Sequence, residues 1–147
     1  CIFNADGSFK PSEITKMIEK INKDNADFVF ATRYEKNCGS DDDTVITFIG
    51  NYIFTFLGKF FFKLEITDIL YTFVVARTSC AKKLELAAKD FSFCVELPIK
   101  AKRANYRICT SKSYERARLA GKKKVNAFKD GLKILFSMVK LFFKVKV

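Results

Sequence analysis

The first residues that could do chemistry are Asn4 and Asp6, which follow a short apolar stretch and precede a Gly-Ser turn. Side chains at positions i and i+2 of an extended segment share one face, so the amide and the carboxylate would point together. Oxygen donors at a strand end of an α/β sheet suit a hard divalent cation such as Mg²⁺ or Mn²⁺. Taken alone, such a pair more often marks a polar strand-to-helix turn that binds nothing, and both interpretations stay open.

Other chemistry-bearing residues are sparse. The run Asp41, Asp42 and Asp43 offers a second possible cation site, although such runs are also typical of a solvated loop before a helix N-terminus. The chain has no histidine, which excludes serine or cysteine triads that need an imidazole. Its five cysteines are odd in number and widely spaced, so we expect reduced cytosolic thiols rather than disulfides or a zinc site.

Composition favours one folded domain with a strongly basic end. The 147 residues are 49% hydrophobic, enough for a real core. Residues 99–147 carry 15 Lys or Arg against two acids, whereas residues 1–98 have a net charge of −2. This basic end indicates an anionic partner, which could be nucleic acid, phosphates or a membrane surface. The chain starts with Cys1 in an apolar stretch that needs neighbours, so we expect that an amino-terminal part is missing.

The elements that must position these residues alternate between strands and helices. Apolar residues at helical spacing predict a helix over 12–23, and the apolar stretches on either side of it predict strands. A strand, a helix and a strand in succession indicate a parallel crossover, and therefore an α/β fold. Similar patterns predict further strands over 71–76 and 106–110 and further helices over 78–88 and 93–104.

Two long apolar helices complete the prediction. Residues 44–62 have apolar side chains at a strict 3-4 spacing, which indicates an amphipathic helix in a membrane interface or on a core rather than a spanning one. Residues 125–146 form a second helix, on which the lysines occupy one narrow band: Lys129, Lys133, Lys140 and Lys144. That band suits an anionic headgroup layer, but equally a half-covered helix with its lysines in water. We therefore divide the chain into residues 1–124 and a basic amphipathic segment, 125–147.

Six motifs in this order resemble the carboxyl-terminal half of glycosyltransferase family 2 enzymes of the dolichyl/polyprenyl-phosphate sugar synthase type. They are Asn4-Ala5-Asp6-Gly7-Ser8, Ala31-Thr32-Arg33-Tyr34, Ile49-Gly50-Asn51, Thr67-Asp68 with Thr72-Phe73, Phe93-Cys94-Val95-Glu96-Leu97, and Tyr114-Glu115-Arg116 to Gly121-Lys122-Lys123-Lys124-Val125. The resemblance implies a GT-A fold, a Rossmann-like mixed sheet flanked by helices. Asn4 stands where the family has an acid, and Lys123 where it has Ser or Thr. The family's nucleotide-binding strands precede the metal motif, so we expect this piece alone to be inactive.

The resemblance also implies roles for individual residues. Asp6, helped by Asn4, would hold a divalent cation, Mg²⁺ or Mn²⁺. Four cationic side chains are candidates for the phosphates of donor and acceptor: Arg33, Arg116, Arg118 and Lys124. Asp68 or Glu96 would act as catalytic base only if the acceptor were a hydroxyl group, since a phosphate acceptor is already ionised near neutral pH.

The function that we expect is transfer of a sugar from a nucleotide-sugar donor to a polyprenyl (dolichyl) phosphate. The enzyme would be peripheral on the cytosolic face of a membrane. One alternative is a glycosyltransferase that acts on a glycan hydroxyl. A basic nucleic-acid-binding module would explain the positive end but not Asn4 and Asp6, and a non-catalytic fragment is the third alternative.

Overall fold

A computed structural model describes residues 1–120 and 126–144. It has five α-helices and five short strands within those ranges: α1 (Pro11–Lys23), β1 (Phe28–Thr32), β2 (Gly39–Ser40), α2 (Val45–Phe62), β3 (Val74–Ala76), α3 (Thr78–Lys82), α4 (Phe93–Arg103), β4 (Ile108–Lys112), β5 (Tyr114–Glu115) and α5 (Ala127–Phe143). The α/β fold class with a mixed sheet is therefore confirmed. The division into residues 1–124 and 125–147 stays a prediction, and α5 packs against α2 and α4.

The main sheet has the order β3-β1-β4, with β1 antiparallel to β3 and parallel to β4. The predicted opening strand is reduced to one antiparallel bridge between Ile2 and Val74. The first segment and β1 are thus parallel, as the crossover predicted, but β3 lies between them. A second, two-stranded sheet pairs β2 with β5 in parallel, outside the strands that the sequence pattern predicts.

Both faces of the sheet are covered, which explains why every residue of β1 is buried. Phe28 and Phe30 contribute to one core, together with residues of α4 and α5. Val29 and Ala31 contribute to the other, which includes Met17 of α1. Successive strand residues point to opposite faces, so β1 separates two helix layers.

Helix α2 begins with a capping box between Thr44 and Thr47, in which each side chain accepts from the other's backbone N–H. It ends where Lys63 adopts the left-handed conformation, at φ 54°. Its orientation corrects one prediction. The buried residues are Asn51, Thr55 and Gly58, while the broad apolar side faces outward. The interpretation that this side packs on a core was wrong, because the polar groups of α2 have partners inside the domain.

Helix α3 is shorter than predicted. It ends at Lys82 rather than continuing to residue 88, and Glu85 has a positive φ of 45°, which a helix cannot accommodate. The following segment is held instead by hydrogen bonds from the backbone N–H groups of Ala87 and Ala88 to Glu96 of α4. A side chain from the next helix thus replaces the missing helical turn.

Candidate functional site

A cleft of about 610 Å³ lies where the amino-terminal turn, the end of β1, helix α2 and the segment after β5 meet. Half of the eight candidate residues from the sequence line it: Asn4, Asp6, Arg33 and Arg118. Residues that line it include Asn4, Asp6, Arg33, Asp42, Asp43, Thr47, Asn51, Tyr71, Cys94, Glu115, Arg118 and Ile134. Sequence-distant segments therefore converge on one concave site of the size that small ligands occupy.

Asn4 and Asp6 both line the cleft, but they do not share the face of an extended strand as expected. Asp6 lies in a turn, where its Oδ1 accepts hydrogen bonds from the Ser8 N–H at 3.0 Å and the Ser8 hydroxyl at 2.6 Å. These hydrogen bonds form a side-chain turn over residues 6–8, in place of an extended strand. Gly7 has φ +83°, and a Cβ there would lie 2.6 Å from the Leu119 side chain, so the turn requires glycine.

Arg118 joins the carboxylates of Asp6 and Asp42. Its Nε and Nη2 donate to the two oxygens of Asp42 at 3.1 and 3.0 Å, and its Nη1 lies 3.4 Å from Asp6 Oδ2. Burial would raise the pKa of Asp6, but the hydrogen bonds from Ser8 and the charge of Arg118 outweigh it and lower that pKa. Asp6 is therefore an anion at neutral pH.

The oxygen donors around Arg118 are of the right type for a hard cation. Asp6 and Asp42 already converge on one positive group, and the Asn4 amide lies on the same wall of the cleft. The described part of the chain contains no cluster of three or more His, Cys, Asp or Glu residues that could hold a metal. Carboxylate and amide oxygens are donor types that Mg²⁺ and Mn²⁺ accept, and the metal role of Asn4 and Asp6 stays a prediction.

Arg33 lines the cleft but is buried and paired. Its Nε and Nη2 donate to both oxygens of Asp68 at 2.7 and 2.9 Å, and its Nη1 donates to Glu115 Oε2 at 2.7 Å. The guanidinium also lies 4.5 Å from the centre of the Tyr71 ring. Burial would lower the pKa of Arg33, but Asp68 and Glu115 raise it above its ordinary value. Asp43 lies 3.9 Å from Nη1, so a phosphate that binds Arg33 would share it with three carboxylates.

Asp68 lies behind Arg33 and is only 1% exposed. It accepts hydrogen bonds from the Arg33 backbone N–H at 3.1 Å, from the Arg33 side chain and from Asn51 Nδ2 of α2. Its lone pairs are thus directed at fixed donors, not at the cleft. The predicted role as catalytic base stays a prediction, and the geometry gives Asp68 a clear structural role.

Glu96 occupies a different place from the other candidates. It accepts hydrogen bonds from the N–H groups of Ala87 and Ala88 and pairs with Lys100 at 2.9 Å. Burial would raise the pKa of Glu96, but these partners lower it. Glu96 is not among the described residues that line the cleft, so the structure does not bring it together with Asp6.

The remaining predicted phosphate ligands differ in what the structure shows. Arg116 is exposed, and its Nη2 donates to the carbonyl oxygens of Gly7 and Phe9 at 2.9 and 3.0 Å. Arg116 therefore fastens the segment after β5 to the amino-terminal turn. Lys124 lies outside the described residues, so its predicted role stays a prediction.

Sequence reasoning missed several residues of the site. Glu115 is the only acid between Glu96 and Asp130, and this isolation in a basic segment was the available signal. Asp42 was noted only within the acidic run. Cys94 lines the cleft, where burial raises the pKa of its thiol to about 12, so it is not a nucleophile at neutral pH.

Comparison with known families gives one match. The sequence model described as "Glycosyl transferase family 2" matches residues 1–85, more than half of the chain. The matched region contains Asn4, Asp6, Arg33, Asn51 and Asp68. Among curated proteins, the chain has no match.

Proposed function

The chain belongs to glycosyltransferase family 2, and from this premise we propose that it transfers a sugar from a nucleotide diphosphate sugar to a polyprenyl phosphate at a membrane surface. Family membership implies a nucleotide-sugar donor and an acceptor. The lipid acceptor and the cytosolic membrane location are the proposed part.

The observation that carries the proposal is the pairing of anionic and cationic groups in one cleft. Asp6 and Asn4 would hold a divalent cation, while Arg118 lies 3.4 Å from Asp6 and can reach a phosphate beside that cation. The cation, when bound, offsets the negative charge that develops on the departing diphosphate. Arg118 contributes in the same sense, since a guanidinium matches two phosphate oxygens at once.

In the proposed reaction an oxygen of the acceptor phosphate forms the new bond to the sugar's anomeric carbon. The bond from that carbon to the diphosphate breaks, and its electron pair leaves with the diphosphate. Such an acceptor needs no base near neutral pH. This agrees with the engagement of both candidate bases, because Asp68 is held by Arg33 and Asn51, and Glu96 by backbone N–H groups.

The membrane part of the proposal draws on α5. Only a narrow face of this helix is buried, and it includes Asp130, Ile134, Met138 and Leu141. The lysines of the band are exposed, and Lys133 also pairs with Asp90 and Asp130 at 3.7 Å. A lysine near an anionic membrane surface is worth about 1 kcal/mol. A polyprenyl phosphate would be presented at this depth.

The decisive experiment supplies full-length protein and Mn²⁺ with radiolabelled nucleotide-sugar and either dolichyl phosphate or a free oligosaccharide. We expect label in the lipid. Asp6→Ala should abolish transfer, whereas the control Asp24→Ala, in a surface ion pair with Lys20, should not change it. Label only in the oligosaccharide would reject the lipid acceptor, and unchanged turnover in Asp6→Ala would reject the metal role of Asp6.

A further inference from the structure

Helix α2 exposes its apolar side to the outside of the domain. Only three of its 18 residues are buried, and each of these is polar or glycine. The outward residues are large and at least half exposed, among them Val45, Ile46, Ile49, Tyr52, Ile53, Phe56 and Phe60. A soluble surface rarely presents so many neighbouring large apolar side chains, which makes this face an interaction surface.

The polar side of α2 fixes this orientation. Asn51 donates to Asp68 through Nδ2, and its Oδ1 accepts from the Leu70 N–H at 3.2 Å. Thr55 accepts from the Ile69 N–H, also at 3.2 Å. These bonds connect α2 to the segment that holds Arg33, so the helix cannot rotate its apolar side inward without leaving buried polar groups unpaired.

The outward face of α5 continues that of α2. Seven of its large apolar residues are exposed: Phe128, Leu132, Leu135, Phe136, Val139, Phe142 and Phe143. The rings of Phe61 and Phe62 lie 5.5 and 6.1 Å from that of Phe142, which brings the carboxyl-terminal ends of both helices together. A small groove of about 110 Å³ between the helices is lined entirely by apolar side chains.

Positive charge borders this double face where the two helices end. Lys63 follows α2 and Lys144 follows α5, and both are exposed. Arg103 lies between them, 5.6 Å above the Phe62 ring, and donates to the Lys144 carbonyl at 2.8 Å. An apolar surface edged by cations is complementary to the acyl layer and headgroups of an anionic bilayer.

We propose that the outward faces of α2 and α5 form one surface that lies flat in the interface of an anionic lipid bilayer. Helix α2 is long and apolar enough to span a membrane by length and composition. Spanning would pull Asn51 and Thr55 from their partners into hydrocarbon, whereas an in-plane position keeps every one of those hydrogen bonds.

The same two helices also contribute to the cleft, through side chains that do not belong to the outward surface: Thr47 and Asn51 of α2 and Ile134 of α5. Seating the outward surface in a bilayer would therefore hold the cleft close to the lipid, where an acceptor with a lipid tail is found. The inference rests on the proposed function only for this acceptor route. The bilayer contact itself is tested without donor, acceptor or turnover, so failure of one does not imply failure of the other.

Binding is tested by flotation of the chain with vesicles of phosphatidylcholine and phosphatidylserine. The variant Ile49→Glu/Phe56→Glu changes two exposed residues, so the fold should persist, as circular dichroism will verify. We expect at least about tenfold weaker partitioning for it. The matched control Ile18→Glu changes an apolar residue of α1 that is 47% exposed, and should bind like the wild type. The inference would be overturned if the double variant bound vesicles as strongly as the wild type. It would also be overturned if the wild type were a dimer that the two substitutions dissociate.

Orientation is tested by fluorescence, because the chain has no tryptophan. Single reporters Ile46→Trp, Ile53→Trp and Phe60→Trp sample the start, middle and end of α2. The vesicles contain lipids with bromine either near the headgroup or near the end of the acyl chain. If α2 lies in the plane of the interface, bromine near the headgroup should quench all three tryptophans more strongly than bromine near the chain end. Deepest quenching of Ile53→Trp alone would indicate spanning and overturn the in-plane position.

Discussion

Removal of the Asp68 carboxylate should cost the protein a large part of its stability. Asp68→Ala leaves the Arg33 guanidinium buried with two remaining anions, Glu115 at 2.7 Å and Asp43 at 3.9 Å. Breaking a buried ion pair by removing one partner costs about 3–5 kcal/mol. The retained Glu115 favours the lower end of that range, but the Asn51 amide also loses its acceptor, so we expect about 3–4 kcal/mol.

Urea unfolding followed by circular dichroism measures this cost. With a denaturant slope of about 2 kcal/mol per molar, the unfolding midpoint should fall by roughly 2 M. Glu65→Ala is the control, because Glu65 pairs with Lys102 at a similar distance of 2.6 Å but is 80% exposed. Its midpoint should not move measurably, since exposed pairs contribute little.

A double-mutant cycle separates the ion pair from other effects of the substitution. Arg33→Met/Asp68→Ala should cost clearly less than the sum of the two single variants, because the double variant leaves no unpaired guanidinium. The reasoning is refuted if the two costs add within about 0.5 kcal/mol, or if Asp68→Ala shifts the midpoint no more than Glu65→Ala does.

Three further predictions concern the cleft and α2. Arg118→Gln should bind Mn²⁺ several-fold more tightly in calorimetry, because a competing cation 3.4 Å from Asp6 is removed; weaker binding would contradict this. The pKa of Asp6 is lower in the folded protein than in the unfolded chain, so the ionised carboxylate stabilises the fold above the unfolded-state pKa, and this stabilisation is lost as pH falls through the folded-state pKa. Asp6→Asn should therefore flatten the acid side of a curve of stability against pH. An unchanged curve would argue against this. Gly58→Ala should lower the melting temperature, because the added Cβ would lie 2.9 Å from the Ile69 side chain. Gly50→Ala should raise it, because a Cβ at Gly50 has no neighbouring atom within 4 Å and alanine favours a helix. The opposite order in calorimetric scans would refute the packing argument.

Periodicity predicted the elements better than it predicted their surroundings. Helix α2 lies where the spacing placed it, yet its apolar side faces outward, because a periodic pattern identifies a face and not what covers it. Ile18 shows the same limit on α1, where it follows the helical spacing but is 47% exposed.

The site shows a second limit. Asp6 was identified from its residue type and neighbours, but its turn depends on the Ser8 hydrogen bonds and on the close approach of Leu119. Arg33 and Glu115 are separated by 82 positions, and a single sequence carries no signal that pairs them. Local chemistry is therefore readable from sequence, whereas partners of buried charges depend on topology.

The fastening of the amino-terminal turn by Arg116 has a consequence for biosynthesis. The bond from Arg116 to the Gly7 carbonyl joins residues 109 positions apart, and Ser113 reaches Glu13 across 100 positions. Closing such long loops is slow, and at roughly 5–20 residues per second the ribosome needs several seconds to supply the second half of each contact. Helix α2 is complete before Arg116 and α5 are synthesised, so its outward apolar side is accessible to chaperones or a bilayer before the cleft exists. The order of synthesis thus allows this protein to meet a membrane before it can bind a substrate.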